Sequence, residues 1–125
     1  MSIIVDGMYR IMYNKDMTEE FDIEIYATEQ GSEPFNEWLN SLRDKKTKAT
    51  LFMRIQRLRE GNFGDFKSFD GLYELRVNFG PGLRIYCAKI GNRLILLLGG
   101  GDKNTQDRDI KKCKSYLEDH KRRMS

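Results

Sequence analysis

Two hydrophobic patterns in the first half of the chain predict one strand followed by two helices. Residues Phe21–Tyr26 alternate between apolar and acidic side chains, which is typical of a strand with one buried face. Apolar residues then recur at helical spacing in two segments. The first segment follows a Ser32 cap, and the second runs from Lys46 to Glu60 and stops at Gly61. The buried positions expected on the two helices are Phe35, Trp38, Leu39, Leu42, Leu51, Phe52, Ile55 and Leu58.

The second half predicts three more strands and a last helix. Leu72–Val77 and Leu83–Lys89 flank a loop rich in glycine and proline, as in a hairpin. Leu94–Leu98 is uniformly apolar, which indicates a central strand covered on both faces. Three glycines end this strand, and Thr105 can cap the last helix. The apolar side of that helix contains Ile110, Cys113 and Leu117.

This order of elements predicts an α+β fold. We expect a mixed, mainly antiparallel four-stranded sheet packed on a helical hairpin, with a C-terminal helix. The two helices form a crossover, so the first strand can pair parallel with a later one. Residues 21–125 form the expected domain, and residues 1–20 form an N-terminal extension, either a small hairpin or an arm.

The net charge of +3 hides an uneven distribution. Residues 1–39 hold two basic and nine acidic side chains, whereas residues 40–125 hold 20 basic and ten acidic ones. A basic body indicates either a polyanionic partner or a solvated charged surface. The N-terminus lacks the pattern of a signal peptide, and no apolar run approaches the roughly 20 residues of a membrane span. We therefore expect a cytoplasmic protein without a membrane partner.

The cysteines and the histidine argue against several kinds of site. Cys87 and Cys113 lie 26 positions apart in apolar patterns, and His120 is the only histidine. This spacing does not match a zinc site, and it disfavours a Ser-His-Asp or Cys-His nucleophile. We expect two buried free thiols, no metal and no small-molecule cofactor.

The predicted hairpin places two arginines opposite each other. If its loop is symmetric about Gly80, Arg76 faces Arg84 and Glu74 faces Tyr86 on one side of the sheet. Like charges directly opposite each other destabilise a strand pair. The arginines therefore require an anion between them or a carboxylate such as Glu74 beside them, unless both are solvated. A guanidinium suits phosphate because its planar fork donates two hydrogen bonds.

Three other features could contact a phosphate-rich partner. The segment Gly99–Asp107 joins glycines, Lys103 and a helix cap, so it is either a backbone that approaches phosphate or a flexible turn. Phe79 at the hairpin tip can stack on an RNA base. The outer face of the second helix is basic, and it is either a solvated face or a contact surface for RNA. Its basic residues are Lys45, Lys46, Lys48, Arg54, Arg57 and Arg59.

Together these segments resemble a known family. The similar segments are Glu33–Leu39, Gly71–Arg76, Gly80–Tyr86 and Leu96–Ile110, with Glu-Leu-Arg, Gly-x-Arg and Gly-Asp-Lys-x-Thr-Gln elements in this order. Over residues 21–123 the chain resembles the addiction-module killer proteins, the HigB-like branch of the RelE/ParE toxin superfamily. The resemblance implies the compact fold of that superfamily and a toxin of a type II toxin–antitoxin system.

Two activities occur among such toxins. RelE-like and HigB-like members cut mRNA on the ribosome without a metal, whereas ParE-like members inhibit DNA gyrase. The first activity is the one that we expect here, with the second and a plain RNA-binding module as alternatives. The implied partners are the ribosome, mRNA and a helix-turn-helix, HigA-like antitoxin.

The resemblance also implies roles for individual residues. Arg84 of the Gly-x-Arg element contacts phosphate with its neighbour Arg76, and Lys103 follows the last core strand where these nucleases place a basic residue. The RNA-binding residues would be Lys45, Lys46, Lys48, Phe79 and Gln106. The general acid or base remains open among Lys103, Glu74, Tyr86 and Asp102. The resemblance does not choose, because Tyr116 and His120 lie late in the last helix rather than at its start.

Overall fold

The computed structural model describes residues 20–125, so the expected arm or hairpin lies outside the described residues except for its last position. The strands are β1 (Asp22–Ile25), β2 (Phe66–Phe69), β3 (Leu72–Val77), β4 (Leu83–Ile90) and β5 (Leu94–Gly101). The helices are α1 (Pro34–Ser41), α2 (Lys45–Arg59) and α3 (Gln106–Met124), with a 3-10 turn at Lys103–Thr105. Among the helices of this range, none is long and apolar enough to cross a membrane.

The strands form one mixed sheet in the order β1-β5-β4-β3-β2. β1 pairs parallel with β5, and the other neighbours pair antiparallel. The α+β class, the parallel first strand and the C-terminal helix are confirmed. The sheet has five strands rather than the expected four, and the additional strand is β2. This edge strand has four residues and mostly exposed side chains, so its sequence carries little signal of a buried face.

Each face of the sheet carries its own hydrophobic core. One core contains Leu51, Ile55 and Leu58 of α2, and the other contains Cys113 and Leu117 of α3. β5 contributes to both cores. Ile95 and Leu97 face the α1–α2 side, and Leu96 and Leu98 face the α3 side. The prediction of a central strand covered on both faces is therefore confirmed.

The helix boundaries and buried faces differ in detail from those expected. The N-cap of α1 is Glu33 rather than Ser32, whose hydroxyl instead donates to Glu37. α2 begins one residue earlier than predicted, after Asp44. Phe52 is 55% exposed, so its expected burial was wrong. The buried stripe of α2 contains Arg54 instead, because positions 51, 54, 55 and 58 share one helical face.

The three glycines Gly99–Gly101 lie inside β5 and do not end the strand before them. They allow helices to approach the sheet. A Cβ at Gly100 would lie 2.2 Å from the Trp38 ring, and a Cβ at Gly99 would lie 2.9 Å from Cys113 Sγ. Thr105 makes no side-chain cap for α3, and its hydroxyl donates to Asp109. Close packing therefore explains the glycine run better than a flexible turn does.

The contact between Gly100 and Trp38 gives a prediction about stability. Gly100→Ala should lower the free energy of unfolding by about 1–3 kcal/mol, because the added methyl group overlaps the indole ring. In a Trp38→Leu background the same substitution should cost less than about 1 kcal/mol, since the overlap is gone. Urea denaturation of the four proteins measures both values, and an equal cost in the two backgrounds would contradict this packing.

The C-terminal part of α3 is attached to the end of β1 by polar contacts. The Tyr26 hydroxyl donates to Asp119 Oδ2 at 2.5 Å, and Arg123 donates to the same oxygen at 2.7 Å and to the Ala27 carbonyl at 2.6 Å. The hydrogen bond from Tyr26, followed by that from Arg123, holds the pKa of Asp119 below its ordinary value of 3.8. The ionised carboxylate therefore favours the folded state.

This attachment predicts a pH dependence. A carboxyl group with a lowered pKa in the folded state stabilises the fold above its unfolded-state value, and this contribution disappears as the pH falls through the lowered pKa. Asp119→Asn should therefore be less stable than the wild type at neutral pH, and the difference should shrink below pH 3.8. Thermal unfolding of both proteins between neutral pH and pH values below 3.8 measures this difference in stability, with the exposed Glu118→Gln as the control. A difference that does not change with pH would exclude the proposed cause.

Candidate functional site

The observed register places the predicted charges on the α3 face of the sheet. Arg76 of β3 lies opposite Arg84 of β4, and Glu74 lies opposite Tyr86, as the sequence predicted. On the other side of β4, Arg84 pairs with Gly101 of β5. Since the glycines at this end of β5 have no side chains, the start of α3 approaches the sheet closely. The result is a cluster of polar side chains between a strand pair and a helix N-terminus.

Glu74 is the centre of this cluster and is fully buried. Its Oε2 accepts hydrogen bonds from Gln106 Nε2 at 2.7 Å and from the Tyr86 hydroxyl at 3.2 Å. Arg84 Nε lies 3.6 Å from Oε2, and Arg76 Nε lies 3.9 Å from Oε1. Of the alternatives for the facing arginines, a carboxylate beside them is the one observed. One buried negative charge thus lies between two positive charges.

The ion pairs of Glu74 are not completed by hydrogen bonds. Glu74 Oε1, Arg76 Nε and Arg84 Nε are buried and have no hydrogen-bond partner. A carboxylate with one unpaired oxygen is a costly group to bury, and the nearby cations offset that penalty. Charge attraction, rather than bidentate hydrogen bonds, therefore holds the two arginines beside Glu74.

Both arginine side chains are partly exposed. The side chain of Arg84 is 13% exposed and that of Arg76 is 34% exposed. Arg84 Nη1 donates to the Gly82 carbonyl at 2.5 Å, and Arg76 Nη1 lies 3.5 Å from Asp65 Oδ1. Solvent therefore reaches part of each side chain, and more of Arg76 than of Arg84.

Lys103 lies near Arg84, across Gly82. A Cβ built on Gly82 would lie 3.1 Å from Arg84 Nη1 and 3.7 Å from Lys103 Cβ, so Gly82 lies between the Arg84 guanidinium and the base of the Lys103 side chain. Lys103 is exposed in the 3-10 turn, and Asp102 caps this turn by accepting from the Asn104 backbone N–H. The structure therefore places Arg76 opposite Arg84 and the base of the Lys103 side chain near Arg84.

The four residues proposed for proton transfer fall into two groups. Lys103 and Asp102 lie at the surface, whereas Glu74 and Tyr86 are fully buried beneath the arginines. Burial, together with the charge of Glu74, raises the pKa of Tyr86 well above its ordinary value of 10.0, so the phenol stays protonated and donates to that carboxylate. Glu74 and Tyr86 therefore lie behind the arginines, where they contact each other rather than solvent.

The residues expected to bind RNA are not gathered in one place. Lys45, Lys46 and Lys48 lie on α2, which covers the opposite face of the sheet. Phe79 is half-buried and packs against the α1–α2 core, so only part of its ring is accessible for stacking. Gln106 belongs to the cluster, where its amide donates to Glu74.

Arg54 is buried, although the sequence predicts it on the outer face of its helix. Its side chain is 6% exposed and donates to the carbonyls of Phe63, Asp65 and Arg76. Its guanidinium supports the end of β3 that carries Arg76. The signal was present in its spacing, since position 54 lies on the same helical face as the apolar positions 51, 55 and 58.

The two cysteines are buried and free, which confirms their prediction. Burial raises the pKa of the Cys87 thiol and that of the Cys113 thiol to about 12 in each case. Both thiols are therefore protonated near neutral pH and are poor nucleophiles. Within residues 20–125 there is no group of three or more His, Cys, Asp or Glu side chains that could hold a metal ion.

Fold and site together define an α+β protein with a mixed sheet and a cationic cluster built around a buried glutamate. No family model matches the chain. An uncharacterized protein of Haemophilus influenzae strain Rd is 49% identical over 81 residues, which cover 64% of this chain and 82% of the relative. The chain belongs to the same family as this Haemophilus protein.

The buried glutamate gives a prediction for the cluster. Glu74→Gln preserves the shape of the side chain but leaves Arg76 and Arg84 facing each other without a negative charge. The free energy of unfolding should fall by about 2–4 kcal/mol. Urea denaturation measures the change, with Asp65→Asn as the matched control. Asp65 also lies beside Arg76 but is 52% exposed, so its loss should cost less than about 1 kcal/mol. Equal stability of Glu74→Gln and wild type would show that the arginines do not need this charge.

Proposed function

We propose that this protein is a toxin of a type II toxin–antitoxin system that belongs to the HigB-like branch of the RelE/ParE superfamily. Its activity is metal-independent endonucleolytic cleavage of mRNA on the ribosome. One observation carries the proposal: Arg76 and Arg84 lie opposite each other with partly exposed side chains, and the base of the Lys103 side chain lies across Gly82 from Arg84. These are the residues to which the sequence resemblance assigns phosphate contacts.

The charge balance of the site supports an anionic substrate. Arg76 and Arg84 lie beside Glu74, whose carboxylate offsets one of their two charges. Asp65 lies near Arg76 at the exposed rim, where water weakens its effect. A phosphodiester approaching Arg84 therefore meets two guanidinium groups with one buried carboxylate between them. Guanidinium groups also match the geometry of phosphate oxygens.

The proposed reaction is an in-line attack within the RNA. The 2′-oxygen of one nucleotide bonds to the adjacent phosphorus while the bond from phosphorus to the 5′-oxygen of the next nucleotide breaks. The products are a 2′,3′-cyclic phosphate and a free 5′-hydroxyl. Arg84 and Arg76 stabilise the negative charge that develops on the phosphorane oxygens. The leaving 5′-oxygen takes up one proton, and the attacking 2′-hydroxyl releases one.

Lys103 and Asp102 are the surface groups available for these proton transfers. A lysine ammonium can donate to the leaving oxygen, and an aspartate carboxylate can accept from the attacking hydroxyl. In this proposal the ribosome aligns the mRNA, which brings the 2′-oxygen, the phosphorus and the leaving oxygen into line. A HigA-like antitoxin with a helix-turn-helix domain neutralises the toxin.

Induction of the protein in cells tests the proposal. The wild type should arrest growth and produce new mRNA 5′ ends at defined codon positions. Arg84→Lys keeps the positive charge beside Glu74 but loses the guanidinium fork, and cleavage should fall by about 100-fold or more. Arg93→Lys, at the exposed turn between β4 and β5, is the matched control and should cleave normally.

Other outcomes of this experiment contradict the nuclease proposal. Intact transcripts together with DNA damage would indicate a ParE-like inhibitor of gyrase. Harmless expression of the folded protein would indicate a plain RNA-binding module. A folded Arg84→Lys variant that cleaves as well as the wild type would remove Arg84 from the mechanism. Thermal unfolding of each variant shows whether a loss of activity reflects a loss of structure.

A further inference from the structure

A second cationic cavity lies between α2 and the end of β3. Its volume is about 330 Å³, and it shares Arg76 with the cluster around Glu74, whose buried part lies on the α3 face of the sheet. The lining residues that matter for its chemistry are Thr50, Arg54, Arg57, Asp65, Arg76 and Asn78. Among the described residues that line the cavity, three are arginines and one is acidic.

Arg54 lines one side of this cavity, and hydrogen bonds to backbone carbonyls hold its side chain in place. Its guanidinium donates to the Asp65 carbonyl at 3.2 Å and to the Arg76 carbonyl at 3.4 Å, and it also donates to the Phe63 carbonyl. Gly64 lies directly against it, because a Cβ at that position would lie 3.0 Å from Arg54 Nη2. The remaining nitrogen, Nη1, is buried and has no hydrogen-bond partner. Arg54 thus keeps one donor that the protein does not satisfy.

The arginines of the cavity carry more charge than its carboxylate offsets. Burial lowers the pKa of Arg54, and the neighbouring charge of Arg57 lowers it further, so the two cations repel each other. Asp65 is half-exposed and lies 3.5 Å from Arg76. An anion in the cavity would relieve this repulsion. The requirement is for a small, multiply hydrogen-bonding anion, and phosphate has these properties.

Arg76 connects the two cationic regions. Its Nε lies 3.9 Å from Glu74 in the first cluster, and its Nη1 reaches toward Asp65 at the rim of the cavity. A phosphodiester backbone laid across Arg76 would therefore meet Arg84 on one side and Arg57 on the other. One of its phosphates would lie in the cavity and a neighbouring one beside Arg84.

We propose that this cavity binds a backbone phosphate of the RNA at a nucleotide flanking the one held by Arg84. The proposal rests on the proposed function, since it names a further contact of the same substrate. It assigns to Arg54, Arg57 and Arg76 a binding role that is independent of base sequence.

Binding of a non-cleavable RNA tests this site. The full chain is titrated against a fluorescent single-stranded 2′-O-methyl RNA, whose blocked 2′-oxygens prevent cleavage. Arg57→Gln should weaken binding by a factor of about five. It should also reduce the slope of log affinity against log salt by about 0.7, as expected for one lost phosphate contact on a single strand. Arg59→Gln is the matched control, because it removes the same charge from the same helix but does not line the cavity.

NMR spectra of the same complex give an independent readout. On titration with the RNA, the Gly64 amide and the Arg54 Nε–H signals should shift in the wild type and in Arg59→Gln, but less in Arg57→Gln. If Arg57→Gln and Arg59→Gln bind equally well and shift equally, this site does not exist. If they do so while Arg84→Lys still abolishes cleavage, the proposed function stands and the second phosphate site alone is excluded. If the wild type does not bind the RNA at all, the second phosphate site is excluded, whereas the proposed function is decided by the cleavage experiment in cells, where the ribosome aligns the mRNA.

Discussion

The ion cluster around Glu74 is the constraint on which the α3 face of the sheet depends. The register of the hairpin sets Arg76 opposite Arg84, an arrangement that repels unless a negative charge lies nearby. The buried carboxylate supplies that charge, and Gln106 and Tyr86 hold it in place. This single carboxylate offsets only one of the two guanidinium charges, so one positive charge remains uncompensated by Glu74. Stability of the sheet and attraction of an anion therefore arise from one arrangement.

Close approach of the helices to β5 makes this cluster possible. Residues with side chains at Gly99–Gly101 would overlap Trp38, Cys113 and Asp109, and α3 would be displaced from the sheet. Gln106, at the first turn of α3, would then lose contact with Glu74. The glycine run that suggested a phosphate-binding turn thus acts through packing, because it sets the distance between a helix and the charged strands. Lys103 is brought beside Arg84 by the turn that follows.

The basic side chains of residues 40–125 do not form one continuous surface in the fold. Lysines at the start of α2 lie on the opposite face from Arg84, whereas Arg76 extends between the Glu74 cluster and the cavity beside α2. The proposed path for RNA follows this extension. Affinity along such a path depends on phosphate contacts and therefore decreases with salt.

The sequence by itself determined the α+β class and a β5 covered on both faces. It allowed a parallel pairing of β1, and it predicted the pairing of Arg76 with Arg84 for a symmetric loop. These follow from hydrophobic periodicity and loop symmetry, which are local properties of the chain. Only the tertiary structure decided that Glu74 is buried between the arginines, that Arg54 lies in a core position, that Phe79 packs inward and that β2 forms an edge. Each depends on which atoms of distant segments meet, because burial of a polar side chain is stable only where remote partners compensate it.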